Sequence, residues 1–221
     1  MKHLSYKDLY KRLRSRFGYL NWWPGETRDE IIIGAILTQQ ATWKNVEKAI
    51  ANLKSEDAVD LKKIRKMDIR RLERLVRPSG FYRQKAARLK GIASYIFGNY
   101  GSLDQMFDKS TLALRKELLS LNGVGRETAD SIILYVAGKP IFVIDAYTKR
   151  IMSRVYGIDE KIDYDELRSL LSDKIGEDLD TYKDFHAQFV ELGKENCRPK
   201  PRCGSCPINE YCKYFMNSTG K

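Results

Sequence analysis

Four cysteines near the end of the chain form the most distinctive chemical pattern in the sequence. They are the only cysteines among 221 residues, and Cys197, Cys203, Cys206 and Cys212 follow the spacing C-x5-C-x2-C-x5-C. Disulfides are disfavoured, because the N-terminal residues lack a secretory signal pattern and the cytosol is reducing. A metal centre is therefore expected. The spacing alone leaves zinc and a [4Fe-4S] cluster equally open, since only Cys203 and Cys206 form a C-x2-C pair.

Asp145 is the candidate for acid–base or electrostatic chemistry. It follows the apolar run Ile141–Ile144 and precedes a segment with helical periodicity that starts at Ala146. An aspartate at this position can simply cap the helix, which contributes about 1 kcal/mol. The apolar run would also carry the carboxylate out of the core, so a structural role and a chemical role both remain open.

A glycine-rich turn lies between two predicted helices at Leu121–Arg126, with the sequence Leu-Asn-Gly-Val-Gly-Arg. Gly123 and Gly125 can take backbone angles that a Cβ forbids, and they allow another backbone to come close. The first amides of the following helix would point towards an incoming phosphate. A plain corner between helices has the same pattern. Arg126 and the positive charge of the chain favour DNA phosphate as the ligand.

The overall charge points to a polyanionic partner. Lys and Arg number 40 against 29 Asp and Glu, which gives a net charge of +11. We expect nucleic acid, and the alternative is a basic solvated surface of a heat-adapted protein. The 43% hydrophobic composition excludes disordered and collagen-like classes. The longest apolar run, residues 31–37, is too short to cross a membrane, and we expect a cytoplasmic protein without a membrane partner.

Helical periodicity runs through nearly the whole sequence and predicts an all-α fold. Residues 140–145 are expected to form an extended connector, and a short polar tail is expected after the cysteine loop. The predicted helices cover residues 5–17, 29–37 with Asp29 as the cap, 43–54, 55–63, 68–76, 82–100, 110–120, 126–137, 146–156, 163–175 and 181–194.

The order of these motifs resembles the helix-hairpin-helix DNA glycosylase superfamily that includes endonuclease III. The similarity extends from Ile36–Thr42, through residues 121–130 and Phe142–Asp145, to the last cysteine. It implies a base-excision-repair enzyme that acts on double-stranded DNA containing a damaged base. It also implies that Asp145 is the catalytic carboxylate and that the four cysteines hold a [4Fe-4S] cluster.

Glu127 departs from part of this family. Members that also cut the DNA strand have a lysine there, and its amine attacks the sugar carbon to form a Schiff base, which a carboxylate cannot do. We therefore predict a monofunctional enzyme in which water is the nucleophile. Lys149, one turn beyond Asp145, leaves open a bifunctional endonuclease III-like glycosylase and lyase acting on oxidised pyrimidines. A second alternative is a DNA-binding protein without catalysis.

Three tryptophans and one glutamine are the candidates for contact with the extruded base. Gln40 occupies the position from which this family fills the space that the base leaves. Trp22, Trp23 and Trp43 could form core contacts, but an indole face also attracts the positive charge of an alkylated purine. Together with the hairpin helix, the tryptophans resemble the 3-methyladenine glycosylase branch, which predicts alkylated bases as substrates.

The resemblance implies two helical lobes with a DNA-binding cleft between them and Asp145 at their junction. We expect one lobe to comprise residues 28–137 with the hairpin. The other would combine residues 1–27 and 138–221 and carry the cluster loop, residues 197–212. A monomer is expected.

Overall fold

The chain folds into helices joined by short connections. The computed structural model describes residues 4–20, 23 and 25–219, which contain no β-strand, so the all-α prediction is confirmed. The helices are α1 (Tyr6–Phe17), α2 (Arg28–Leu37), α3 (Trp43–Ser55), α4 (Leu61–Lys66), α5 (Ile69–Val76), α6 (Tyr82–Asn99), α7 (Leu103–Phe107), α8 (Thr111–Leu119), α9 (Arg126–Tyr135), α10 (Ala146–Tyr156), α11 (Tyr164–Ile175), α12 (Leu179–Glu195) and α13 (Lys213–Thr219). In the described part of the chain, no helix combines the length and apolar character that a membrane span requires.

The chain divides into two units. We call Trp23–Lys139 the hairpin unit, and Met1–Trp22 together with Pro140–Lys221 the cysteine unit. The core of the hairpin unit is built around α2, which packs against α3, α6 and α9. Ile32, Ile33 and Ile36 of α2 are fully buried, because the helix is apolar on almost every side.

The start of α2 differs from the prediction. Thr27, and not Asp29, caps the helix, because the Thr27 side chain accepts the amide hydrogen of Glu30. The Asp29 carboxylate instead accepts the amide hydrogen of Leu61 at 2.9 Å and so links the starts of two helices. Asp29 thus has a tertiary contact that no local pattern indicated.

A buried lysine holds two turns of the hairpin unit together. The Lys85 ammonium donates to the carbonyl of Leu37 at 2.8 Å and to that of Ser79 at 2.6 Å. Burial lowers the pKa of Lys85 to about 8. The last carbonyl of α2 and the 3₁₀ turn before α6 are therefore fixed to one group.

Other segments also differ from the predictions, among them α7, which lies where no helix was predicted. The helix expected at 55–63 begins only at Leu61, because the Asp60 side chain caps it and accepts the amide hydrogens of Lys62 and Lys63. The expected polar tail after the cysteine loop instead forms α13.

The cysteine unit places α10 directly against α12. The connector before α10 has no regular secondary structure, as expected, and its apolar residues Ile141–Ile144 are buried. A Cβ added at Gly193 of α12 would lie 2.2 Å from Cδ1 and 2.9 Å from Cγ of Tyr147 on α10. The two helices approach this closely because residue 193 has no side chain.

We expect Gly193→Ala to lower the free energy of unfolding by about 1–3 kcal/mol, because the added methyl group overlaps the base of the Tyr147 ring. Gly91→Ala is the matched control. A Cβ at Gly91 in α6 meets nothing within 4 Å, so alanine there should stabilise the helix by about 0.5–1 kcal/mol. Urea denaturation of both variants measures these changes. Equal stability of the two would contradict the close approach of α10 and α12.

Candidate active site

Asp145 caps α10 and is also paired with a second side chain. One carboxylate oxygen, Oδ1, accepts the amide hydrogen of Thr148 at 2.7 Å. The other, Oδ2, lies 3.5 Å from Nε2 of His186 on α12. The Asp145 side chain is 12% exposed. It is therefore a largely buried carboxylate with a partner on each oxygen.

These partners decide the charge of Asp145. Burial by itself raises the pKa of the carboxyl group, but the His186 imidazole and the Thr148 amide outweigh it and bring the pKa below its ordinary value of 3.8. The side chain is thus ionised at neutral pH. A carboxylate can accept about four hydrogen bonds, so lone pairs remain for a water molecule or a nearby cation.

His186 is the partner that sequence reasoning missed. It lies 41 positions after Asp145, and a single histidine in an apolar helix gives no local signal of a role. Its side chain is only 4% exposed. The packing of α10 against α12, which no sequence pattern specified, brings the imidazole to the carboxylate.

The two other predicted catalytic residues have different surroundings. The Lys149 ammonium donates to the carbonyl of Ile162 at 3.0 Å, in the loop that precedes α11. Glu127 is exposed in the first turn of α9, where the helix dipole favours an acidic side chain.

The predicted hairpin joins α8 to α9, and its two glycines serve different purposes. Gly123 has φ +79°, and a Cβ there would lie 2.2 Å from Nε of Arg88. Gly125 has an ordinary φ of −87°, caps α9 and has open space where a Cβ would be. The fold therefore requires glycine at 123 only. Arg126 follows as an exposed residue at the start of α9.

A hydrogen-bond network ties the hairpin to the turn after α2. The side-chain amide of Gln39 donates to the Gly123 carbonyl at 2.9 Å and to the Thr128 hydroxyl at 3.0 Å. Arg88 donates to the side-chain oxygen of Gln39 at 2.5 Å. The next residue, Gln40, is exposed and has a left-handed backbone with φ 51°. The turn thus presents Gln40 to solvent in a strained conformation.

Phe81 is a second exposed residue in a left-handed conformation that sequence reasoning did not single out. Its φ is 45° and its exposed fraction is 60%. It follows the 3₁₀ turn whose Ser79 carbonyl is bonded to Lys85. The sequence signal was the Ser-Gly-Phe turn before a long helix, in which a large apolar residue stands at the helix cap.

The structure brings two of the three predicted tryptophans together. The ring centroids of Trp23 and Trp43 are 6.5 Å apart in an edge-to-face arrangement, and Tyr135 lies 4.8 Å from Trp23. Both indoles are partly exposed. Trp22 lies outside the described residues.

The four cysteines line one cavity of the cysteine unit, together with apolar side chains of α10, α12 and α13. All four are free thiols, so the structure contains no disulfide between them. In the described residues, no three His, Cys, Asp or Glu side chains are arranged to hold a single metal ion.

Arginines from α10 hold the cysteine loop in place. Arg150 donates to the Cys197 carbonyl at 2.7 Å, and Arg154 donates to the Arg198 carbonyl at 2.6 Å. Burial raises the pKa of the Cys206 thiol to about 11. A metal that binds this sulfur must therefore displace its proton.

Comparison with known proteins identifies the family. The model of the HhH-GPD superfamily of base-excision DNA repair proteins matches residues 33–177. A Methanocaldococcus jannaschii protein named "Putative DNA repair glycosylase" is 52% identical over 92% of this chain and 94% of its own length. Endonuclease III of Thermotoga maritima is 29% identical over 84% of this chain and 82% of its own.

A solved structure gives the same result. The 3-methyladenine DNA glycosylase of Helicobacter pylori, bound to 1,N6-ethenoadenine, has a TM-score of 0.77 and 31% identity, covering 86% of this chain and 98% of its own. The chain is thus a DNA glycosylase, a hydrolase that acts on N-glycosyl bonds of DNA. The recognition made from its motifs is confirmed: the chain belongs to the HhH-GPD superfamily of base-excision DNA repair proteins.

Proposed function

We propose that this glycosylase is monofunctional and releases alkylated purines from double-stranded DNA by hydrolysis. The observation that carries the proposal is the ionised, largely buried carboxylate of Asp145, which accepts the Thr148 amide hydrogen and lies 3.5 Å from the His186 imidazole. Such a group stabilises positive charge without reorganising during the reaction.

In the proposed reaction, the bond between the sugar carbon C1′ and the base nitrogen breaks, and its electron pair leaves with the base. Positive charge then develops on the sugar, as in other glycoside cleavages. The Asp145 carboxylate stabilises that charge and orients the water whose oxygen bonds to C1′, and the proton that this water loses passes to solvent. Because the Asp145 pKa is low, the carboxylate acts mainly through its charge.

An alkylated purine suits this chemistry because it already carries a positive charge and leaves without a strong general acid. The indoles of Trp23 and Trp43 are partly exposed, and a cation against an indole face gains about 0.5–2 kcal/mol. The likeness to the H. pylori enzyme also supports this substrate class. Trp22 remains a candidate for contact with the same base.

Two observations support hydrolysis without strand cleavage. Glu127 stands where bifunctional members have the lysine that forms the Schiff base, and a carboxylate cannot replace an amine in that step. The ammonium of Lys149 is already bonded to the Ile162 carbonyl.

We propose that the hairpin binds the DNA backbone. The first amides of α9 and the side chain of Arg126 would bind a phosphate, with Gly125 allowing the close approach. Gly125→Ala tests this role. The fold has room for a Cβ at this position, but the added methyl group would clash with a phosphate in contact with the backbone. Exposed Gln40 would fill the space left by the extruded base, and Phe81 is a second candidate.

We propose that Cys197, Cys203, Cys206 and Cys212 hold a [4Fe-4S] cluster. Four free thiols around one apolar cavity fit such a group, because each thiolate binds a different iron atom of a cluster, which is larger than a single ion. When bound, the cluster supplies iron–thiolate bonds that cross-link the loop. We also propose that the protein acts as a monomer.

We expect Asp145→Asn to slow release of 3-methyladenine from duplex DNA by about 10²-fold or more, because it removes the charge that stabilises the sugar cation. Asparagine is also a good cap, so α10 should remain folded. The measurement is the single-turnover rate together with duplex affinity, which should be unchanged. Asp178→Asn, which alters the cap of α12, is the matched control and should keep the wild-type rate.

Equal rates for the Asp145 and Asp178 variants would refute the catalytic assignment. Borohydride trapping on abasic DNA addresses the bifunctional alternative, for which the wild-type protein would form a covalent adduct that Lys149→Ala abolishes. Efficient release of an oxidised pyrimidine, with no release of alkylated purines, would overturn the substrate class.

Protein purified without air should contain about four iron atoms and four acid-labile sulfides per chain. Cys206→Ser should lose most of this iron because one thiolate is missing, whereas Asp145→Asn should retain it. Metal and sulfide analysis measures both. One zinc ion per chain without sulfide would show that the cysteines form a zinc site.

A further inference from the structure

We propose that His186 is a positioning residue that fixes the Asp145 carboxylate and keeps it ionised for catalysis. This inference rests on the proposed catalytic role of Asp145. No motif and none of the comparisons assigns a role to His186. The inference comes from the 3.5 Å approach of its Nε2 to Oδ2 of the carboxylate.

The contact between His186 and Asp145 involves the carboxylate oxygen that the helix cap does not use. The Thr148 amide binds Oδ1, and the imidazole faces Oδ2, so each oxygen has its own partner. The Thr148 amide alone would leave the second oxygen of the carboxylate without a polar side chain beside it. The ring lies 3.5 Å from Oδ2, and its presence lowers the pKa of the Asp145 carboxyl group.

Polar side chains on the neighbouring helices have other hydrogen-bond partners. On α12, the Asp184 carboxylate accepts the Tyr10 hydroxyl at 2.7 Å and the Leu20 amide at 2.8 Å. On α10, the Lys149 ammonium donates to the Ile162 carbonyl. From α11, the Tyr164 hydroxyl accepts the amide hydrogen of Ile144 at 3.2 Å.

From α13, the Lys213 ammonium donates to the Tyr156 carbonyl at the far end of α10. His186 is the titratable side chain whose interaction with Asp145 most lowers the pKa of that carboxyl group.

Removal of the imidazole has a defined consequence. Burial raises the pKa of Asp145, and His186 is the first of the groups that oppose it. In His186→Leu the burial remains and the opposition is lost, so Asp145 should take up a proton at a higher pH than in the wild type. His186→Gln keeps an N–H near the position of Nε2 but cannot carry a charge, so its effect should be smaller.

The test combines two measurements on the full-length protein with its cluster. The first is the pH at which the Asp145 carboxyl carbon titrates, followed by ¹³C NMR in the absence of DNA. The second is the single-turnover rate of 3-methyladenine release, corrected for spontaneous loss and followed from neutral pH down to the lowest pH at which the protein stays folded. The control is Tyr10→Phe, which removes a hydrogen bond from Asp184 on the same helix without altering the His186 contact.

In the wild type we expect Asp145 to titrate below its ordinary range. In His186→Leu the titration and the acid limb of the rate should both move up by about one pH unit or more, a tenfold loss of the ionised form at low pH. Tyr10→Phe should leave both unchanged. If the leucine variant does not fold, the glutamine variant decides the question, because its Asp145 must still titrate at a higher pH than the wild type.

Unchanged titration of Asp145 in the folded His186 variants would overturn the inference. The NMR result does not depend on activity, so it separates this inference from the proposed function. If Asp145→Asn is fully active, the proposed function fails, whatever the titration shows. If Asp145→Asn is inactive but the His186 variants keep the wild-type titration of Asp145 and the wild-type pH dependence of the rate, only the role of His186 fails.

Discussion

The proposed catalysis depends on one negative charge held in a largely buried site. A carboxylate removed from water normally gains a proton, and the Asp145 side chain avoids this because three favourable interactions coincide. It lies at the positive end of α10, it accepts the Thr148 amide hydrogen, and it faces the His186 imidazole. Capping the helix is therefore compatible with the proposed stabilisation of a sugar cation, because the oxygen that accepts the amide hydrogen belongs to a carboxylate that keeps its charge.

Each unit contains a rigid support for its functional residues. In the cysteine unit, the absence of a side chain at Gly193 allows α10 and α12 to approach closely, which brings His186 to Asp145. In the hairpin unit, Lys85 fixes the end of α2, and Gln39 with Arg88 fixes the following turn to the hairpin. The exposed Gln40 is presented by this supported turn, so its strained backbone is maintained by its neighbours.

Much of this arrangement could be predicted from local sequence. Helical periodicity and the cap at Asp145 located α10, and the glycine-rich turn located the hairpin before α9. The predicted start of α2 was wrong because two nearby polar residues, Thr27 and Asp29, could each have capped the helix. The pairing of His186 with Asp145 could not be predicted, because it depends on helix packing between residues 41 positions apart. The different needs for Gly123 and Gly125 also became visible only through the contact with Arg88.

The charge of Asp145 can be tested most directly by comparing two abasic-site analogues in duplex DNA, one with a cationic pyrrolidine and one with a neutral tetrahydrofuran. The cationic ring resembles the sugar in the transition state, so the wild-type protein should bind it about tenfold more tightly or better. Asp145→Asn should bind both analogues equally. Equal binding of the two analogues by the wild-type protein would contradict the account.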